Sequence, residues 1–156
     1  MEFKKVNELI NLRKFKEAKA CLIDLIKEKK RLNNRPDFNE RKFKNTYFIL
    51  SQICNQLNDL KDSRKYLEEH IKINPNDCEG LLSLANLQLK TRQIENTEKN
   101  YKKILHINKN YIPALINLAF LYEGIGKISD AKKYYEIAYK LYPENLNFFY
   151  NLIRID

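Results

Sequence analysis

The same residue pattern returns every 34 residues along this chain, and that period restricts the fold more than any other feature. Leu115 and Leu118 have counterparts one period earlier at Leu81 and Leu84. Small residues return with the same spacing, in one set at Ser51, Ala85 and Ala119 and in another at Ser63, Thr97 and Ala131. Repeats of this length are supersecondary units that bury their apolar faces against their neighbours. The chain is therefore predicted to be an array of one repeated unit.

Each repeat carries two helical patterns separated by a turn signal. In the last full copy, residues at spacings of three and four form a first stripe, which consists of Leu115, Leu118, Ala119 and Tyr122. Gly124 and Gly126 then interrupt the pattern, and glycine adopts the left-handed conformation after a helix at no steric cost. A second stripe precedes Pro143 and consists of Ile128, Ala131, Tyr135 and Ala138. The repeated unit is therefore predicted to be a helical hairpin.

This arrangement, L-x2-LA-x2-Y…A-x3-Y…P within residues 112–145, resembles the tetratricopeptide repeat, with Leu115 in place of the first aromatic residue. The resemblance implies an all-α fold, a right-handed α-solenoid of about four hairpins plus a terminal helix, in a single domain over residues 1–156. The copies are expected at about 1–32, 44–77, 78–111 and 112–145. An insertion at 33–43 separates the first two copies, and it is interpreted as a surface connection or as a partner contact of its own.

Residues 146–156 match the first helix of a further copy, with apolar residues around most of its circumference. A helix of this kind is normally buried, and an open apolar face usually marks an interface. Two hypotheses follow for this end of the chain. It meets the continuation of a longer chain, or it self-associates with a second copy.

The net charge of +9 is concentrated in the second helices of the repeats and in the connectors. Residues 14–32 carry +4, 92–109 carry +3 and 126–143 carry +2, whereas the first helices sum to zero. In the tetratricopeptide repeat family the first helices line a concave groove and the second helices form the convex outside. The resemblance therefore implies a neutral groove and a Lys-rich back. Such a back suits nucleic acid or an anionic membrane, but its lysines alternate with acidic residues and no aromatic platform for bases stands among them.

Helical projection of the first helices identifies the side chains that point away from the second helix of each hairpin. They combine apolar or aromatic residues with amides, which suits an extended or helical peptide or another partner segment. The predicted partner-binding residues are Phe48, Gln52 and Asn55, then Leu82, Asn86 and Leu89, and finally Ile116, Asn117, Phe120 and Glu123. For any one of them, packing against a neighbouring helix is an equally good interpretation. The basic residues of the family's chaperone carboxylate clamp are missing, so that type of partner is not expected.

The residue types that catalysis, cofactors and metals require do not occur in suitable patterns. His70 and His106 are the only histidines and lack metal spacing. Cys21, Cys54 and Cys78 also lack it, and Cys54 lies on an apolar stripe, which predicts a buried thiol. No segment is apolar over the length of a membrane span. The prediction is a non-catalytic protein-interaction scaffold in the cytoplasm, without cofactor or metal; a basic adaptor for nucleic acid or membrane is the alternative.

Overall fold

A computed structural model describes residues 2–32 and 45–155, and the regular elements in this part of the chain are α-helices. In chain order they are α1 (Glu2–Asn11), α2 (Phe15–Leu32), α3 (Thr46–Gln56), α4 (Leu60–Ile73), α5 (Cys78–Lys90), α6 (Ile94–Ile107), α7 (Ile112–Gly124), α8 (Ile128–Leu141) and α9 (Leu146–Ile155). The all-α class predicted from the sequence is confirmed. The predicted insertion at 33–43 lies outside the described residues.

The helix starts reproduce the sequence period. The second helices α4, α6 and α8 begin at Leu60, Ile94 and Ile128, at intervals of 34 residues. Acidic side chains cap two of the helices, because the first N–H groups of a helix have no partner within it. Asp59 accepts a hydrogen bond from the N–H of Asp62 at 3.1 Å in α4. The repeat is therefore set by its turns and caps as well as by its apolar stripes.

Each hairpin turn contains one residue with a left-handed backbone at the same repeat position. These residues are Arg13, Asn58, Arg92 and Gly126, with φ between 55° and 78°. In the last hairpin, the N–H of Gly126 donates to the carbonyl of Glu123 at 3.0 Å, and the N–H of Lys127 donates to the carbonyl of Tyr122 at 2.8 Å. This pair of bonds closes the end of α7 as a Schellman motif. The predicted turning glycine is Gly126, whereas Gly124 is the last residue of α7.

The chain divides into two compact units, Met1–Pro75 and Asn76–Asp156. In the first unit, α1 packs against α2, α2 against α3, and α3 against α4. Their core consists of Val6, Leu9, Ala18, Leu22, Leu25, Leu50, Ile53 and Cys54. Cys54 is completely buried, as predicted, and burial raises the pKa of its thiol. The expected single domain over residues 1–156 stays a prediction.

In the second unit, the helices α5 to α9 also pack in chain order. The core consists largely of positions that the repeat predicts, among them Leu81, Leu84, Ala85, Ile104, Leu115, Leu118, Ala119, Ala131 and Ala138. Tyr101 on α6 and Tyr135 on α8 occupy the same repeat position, and both are completely buried. Their hydroxyl groups reach residues Asn86 and Glu123 on the first helix of the same hairpin. Each second helix thus supports polar side chains of the helix before it.

The small residues of the period mark the contact between the two helices of a hairpin. In the first unit, Ser63 Oγ on α4 donates a hydrogen bond to the backbone carbonyl of Ser51 on α3 at 3.0 Å. A bond of this kind requires the two helices to approach closely. Ala119 on α7 and Ala131 on α8 are completely buried in the second unit. These small residues therefore lie in the interior, where little room remains for larger side chains.

Candidate functional site

Seven of the predicted partner-binding residues lie on α5 and α7 of the second unit, and we call this set the α5–α7 face. It consists of Leu82, Asn86, Leu89, Ile116, Asn117, Phe120 and Glu123. None of the seven belongs to the buried core, although neighbouring positions of the same two helices do. The two helices therefore bury one set of side chains and keep a second set partly exposed.

Two amides on this face join α5 to α7. Asn117 Nδ2 donates a hydrogen bond to Asn86 Oδ1 at 3.0 Å, although the two residues are 31 positions apart. The hydroxyl of Tyr101 donates to the same Asn86 oxygen at 2.6 Å. Burial raises the pKa of Tyr101 to about 12, so the hydroxyl keeps its proton at neutral pH. The amide of Asn86 is therefore held in one orientation by two donors.

The remaining atoms of these amides are accessible. In the described part of the chain, Asn86 Nδ2 and Asn117 Oδ1 make no hydrogen bond to protein atoms. Across the same residues, Thr46 Oγ1 is the sole buried side-chain polar atom that lacks a partner. Solvent therefore reaches one open donor on Asn86 and one open acceptor on Asn117. A peptide group also carries one donor and one acceptor, so it complements this pair.

Apolar side chains accompany the amides on the same helices. The exposed fraction is 48% for Phe120 and 37% for Leu89, whereas Leu82 and Ile116 are half-buried. The ring of Phe120 contacts the ring of Tyr135 edge-on, with 5.7 Å between the centroids. This contact with α8 restrains Phe120 from behind. Exposed apolar groups beside oriented amides are typical of a surface that binds another chain.

Glu123 is already engaged inside the second unit. Both terminal nitrogens of Arg154 on α9 donate hydrogen bonds to its carboxylate, and the bond from Nη2 to Oε2 is 2.9 Å long. The hydroxyl of Tyr135 donates to Oε2 at 3.1 Å. The hydrogen bonds from Arg154 hold the pKa of Glu123 below its ordinary value. The α5–α7 face therefore carries a carboxylate whose charge α9 already compensates.

The other three predicted residues lie on α3 of the first unit and have different surroundings. The ring centroids of Phe48 and of His70 on α4 are 5.3 Å apart. Phe48 therefore packs against a neighbouring helix, which is the second of the two interpretations that the sequence allowed. Gln52 is exposed, and Asn55 is half-buried. On α3 the structure thus places one aromatic residue against its hairpin partner and two amides nearer the surface.

The first unit contains a polar cluster that the sequence did not predict. Lys19 Nζ on α2 donates hydrogen bonds to Asp59 and to Asp62 at the start of α4, each at 2.8 Å. The signal that points to it is an aspartate at a helix N-cap, which predicts the cap but not the lysine from another hairpin. Burial disfavours the charged form of Lys19, but the two hydrogen bonds outweigh burial and raise its pKa.

The same cluster has the ligand types of a small metal site. The Cys54 thiol and the carboxylates of Asp59 and Asp62 lie within 4.8 Å of one another. The ammonium of Lys19, however, already bonds to both carboxylates, and Asp59 also caps α4. These contacts are those of an ion pair that joins two hairpins, so we assign no metal to them.

The lysines of the second helices have acidic neighbours. Lys102 pairs with Glu98 at 2.6 Å on α6, and Lys133 pairs with Asp130 at 3.1 Å on α8. Such pairs reduce the local positive potential around these lysines. As for membranes, none of the described helices combines the length with the apolar character that crossing a bilayer demands.

Comparison with known sequences identifies the repeat. The sequence model of the tetratricopeptide repeat matches residues 45–77 and 112–145. These segments correspond to two of the copies predicted from the period, at 44–77 and 112–145. No curated protein matches the sequence significantly.

Solved structures share this fold at low sequence identity. The crystal structure of MamA has a TM-score of 0.81 and 14% identity, over 99% of this chain and 78% of that chain. A tetratricopeptide repeat protein from Parabacteroides merdae has a TM-score of 0.82 and 13% identity, over 96% of this chain and 56% of its own. YrrB, described as a TPR protein with an unusual peptide-binding site, has a TM-score of 0.72 and 14% identity, over 99% and 74%. Two of the predicted copies therefore match the tetratricopeptide repeat, and the chain shares its fold with solved tetratricopeptide repeat proteins.

Proposed function

We propose that this protein is a non-catalytic interaction scaffold that binds a peptide or another partner segment on the α5–α7 face. The observation that carries the proposal is the amide pair of Asn86 and Asn117, which offers an open donor and an open acceptor. Main-chain hydrogen bonds give affinity for an extended segment, and apolar neighbours such as Phe120 contact its side chains. The fold that this chain shares with YrrB, described as having a peptide-binding site, supports this class of partner.

The lining of the face favours a partner that is apolar at the contact. The charge of Glu123 is compensated by Arg154, and the other members of the face are apolar residues and amides. Attraction between opposite charges therefore contributes little to binding. We expect the affinity to change only weakly with ionic strength, because salt screens interactions between charges and leaves apolar contacts in place.

We propose a separate set of partner contacts on α3, in the first unit. Gln52 and Asn55 carry the same kind of group as the amides of α5 and α7, and they are proposed as partner contacts of the first unit. Phe48 is proposed as a support for that surface, through its contact with His70.

The proposal is tested by selecting a binder from a random peptide library against the folded chain and then measuring its Kd for variants. Phe120→Ala and Leu89→Ala remove exposed apolar contact area from the face. Each is expected to weaken binding by about tenfold, which corresponds to about 1.4 kcal/mol. Matched controls are Ile107→Ala and Ile137→Ala, which remove apolar side chains of similar exposure from α6 and α8. Equal losses from the controls and from the face variants would contradict the proposal.

The alternative is a basic adaptor that uses the lysines of α6 and α8 on nucleic acid or anionic membrane. It predicts that charge reversal at Lys102 and Lys133 abolishes binding to duplex DNA or to anionic vesicles, and that binding falls steeply with salt. The proposed scaffold predicts that the same reversal leaves the Kd for the selected peptide nearly unchanged.

A cytoplasmic location is part of the proposal. It is supported by the three cysteines, Cys21, Cys54 and Cys78, which are all free thiols in the structure. Disulfides form and persist chiefly in oxidising compartments, so unbridged cysteines fit a reducing one. Localisation of the tagged protein in its own cells tests this point.

A further inference from the structure

Helix α9 has a half-buried face and an open apolar face. Phe148, Leu152 and Ile155 are half-buried. The open face consists of Leu146, Phe149, Tyr150 and Ile153, whose exposed fractions lie between 43% and 65%. Their spacing of three, four and seven residues places them on one side of the helix. We call these four residues the α9 stripe.

Two residues of this stripe occupy repeat positions that are buried in the preceding repeat. Phe149 and Ile153 stand one period after Leu115 and Ala119 of α7. Leu115 is 1% exposed and Ala119 is 0% exposed, and α7 packs between α6 and α8. Within the described residues, no helix packs on α9 in the corresponding way. Phe149 and Ile153 are therefore apolar surface at positions that the preceding repeat buries.

The size of Ile153 restricts what fits on this face. At the same repeat position, Ala85 and Ala119 allow the following helix to approach closely. An isoleucine there holds an approaching helix farther away, because its branched side chain occupies the space. The stripe therefore suits a helix that brings large side chains of its own at the wider spacing of ridge-into-groove packing.

Electrostatic repulsion between two copies of this chain is small at the α9 stripe. The chain carries +9 overall, and two copies repel each other over most of their surface. Among the described residues of α9, only Arg154 carries a charge, and the carboxylate of Glu123 compensates it. Two copies that meet through the α9 stripe therefore bring together a surface without net charge.

The order of aliphatic and aromatic residues along the stripe is the same from either end of the helix. Aliphatic residues stand at its ends, at Leu146 and Ile153, and aromatic residues stand in the middle, at Phe149 and Tyr150. We propose that two copies of this protein pair through the α9 stripe, with the helices antiparallel about a two-fold axis near Phe149 and Tyr150. Leu146 of one copy then contacts Ile153 of the other, as a self-complementary interface requires. This pairing is independent of the partner binding proposed for the α5–α7 face.

The expected dimer is weak. A ten-residue helix is about 15 Å long, and two such helices bury less than the roughly 1,200 Å² typical of stable complexes. The dimer should therefore appear only as the protein concentration rises. Sedimentation velocity over a concentration series measures this association directly.

Two charge substitutions test the assignment in the same measurement. Leu146→Glu and Ile153→Glu place unpaired carboxylates in the proposed interface, and each is expected to raise the dimer Kd by more than about tenfold. Asn147→Glu is the matched control, because Asn147 is exposed on α9 outside the stripe. Circular dichroism and thermal melting confirm that each variant is folded. A chain that stays monomeric at every concentration overturns the proposal, as does a dimer that these variants leave unchanged.

A cross-link supplies a second readout that does not depend on tolerance of a buried charge. Tyr150→Cys lies near the proposed axis, so mild oxidation is expected to give a disulfide-linked dimer in high yield. Asn147→Cys and the unsubstituted chain, which contains three cysteines of its own, set the background. Equal cross-linking by Asn147→Cys and Tyr150→Cys contradicts the two-fold arrangement.

Discussion

Asn117 on α7 donates a hydrogen bond to Asn86 on α5 across 3.0 Å, and this bond connects the first helices of two successive repeats. Apolar burial is non-directional, so it places helices side by side without orienting a polar atom. The hydrogen bonds from Asn117 and Tyr101 orient the Asn86 amide. Preorganisation of this kind reduces the ordering that a partner must cause when it binds.

The support from Tyr101 predicts a measurable loss of stability. Tyr101→Phe removes the hydroxyl that donates to Asn86 and is expected to lower the free energy of unfolding by about 0.5–1.5 kcal/mol. Urea denaturation measures the change. Tyr134→Phe is the control, since Tyr134 makes a ring contact with Tyr122 rather than a hydroxyl contact. Equal losses in the two variants would contradict a specific role for the Tyr101 hydroxyl.

The ion pair of the first unit predicts a second loss. Lys19→Met keeps an apolar stem of similar length but leaves Asp59 and Asp62 without the ammonium that joins them to α2. The expected loss is about 1 kcal/mol, because the carboxylates are partly exposed and solvent screens the interaction. Lys27→Met, at an exposed pair with Asp24, serves as the control and should have little effect.

The same pair predicts how this difference depends on pH. The hydrogen bond from Lys19 lowers the pKa of Asp59 below its ordinary 3.8. A carboxyl group whose pKa is depressed by folding contributes stability above the pKa of the unfolded chain and loses it as the pH falls through the folded value. The difference between the natural chain and Lys19→Met should therefore be full at neutral pH and shrink below pH 3.8. A difference that grows in acid would contradict this assignment.

The turn after α5 predicts a stabilising substitution. Arg92 has φ of 57°, a conformation that costs a residue with a Cβ atom about 1–2 kcal/mol. Arg92→Gly relieves this cost, and the greater freedom of glycine in the unfolded chain offsets part of the gain. We expect a net gain of up to about 1 kcal/mol in thermal or urea unfolding. Lys99→Gly, inside α6, is the control and should instead lose about 1 kcal/mol.

The contact between α7 and α8 predicts the effect of overpacking. Ala131 is completely buried, so Ala131→Leu should cost about 1–3 kcal/mol. Lys133→Leu adds an apolar side chain on the same helix at a position whose side chain is 70% exposed. That control should stay within about 0.5 kcal/mol. Similar melting temperatures for the two variants would show that the register of α8 is wrong.

The fold was predictable because it follows from positions that repeat. The small residues Ser63, Thr97 and Ala131 are each almost completely buried, and the starts of α6 and α8 follow the period of 34 residues. Helix contacts of this kind depend on side-chain size and apolar spacing, which a single sequence displays. The helical projection was less exact, because Phe120 contacts Tyr135 on α8, the helix from which its side chain was expected to point away.

The polar contacts were less predictable because they join residues that no local pattern relates. Arg154 reaches Glu123 across 31 positions, and Lys19 reaches Asp59 across 40. Each contact depends on the conformation of long side chains at the junction of two hairpins. Projection of α3 likewise did not show that Phe48 packs against His70. The period therefore determines where helices meet, whereas the exact polar partners require coordinates.

The most direct test of the α5–α7 face is two-dimensional ¹⁵N–¹H NMR of the chain during titration with the selected peptide. Side-chain amides give their own resonances, so Asn86 and Asn117 report on partner contact without substitution. We expect these two resonances, and backbone amides of α5 and α7 near Phe120, to shift with one common Kd. Shifts confined to α6 and α8, with both asparagine resonances unchanged at saturation, would contradict the proposed binding face.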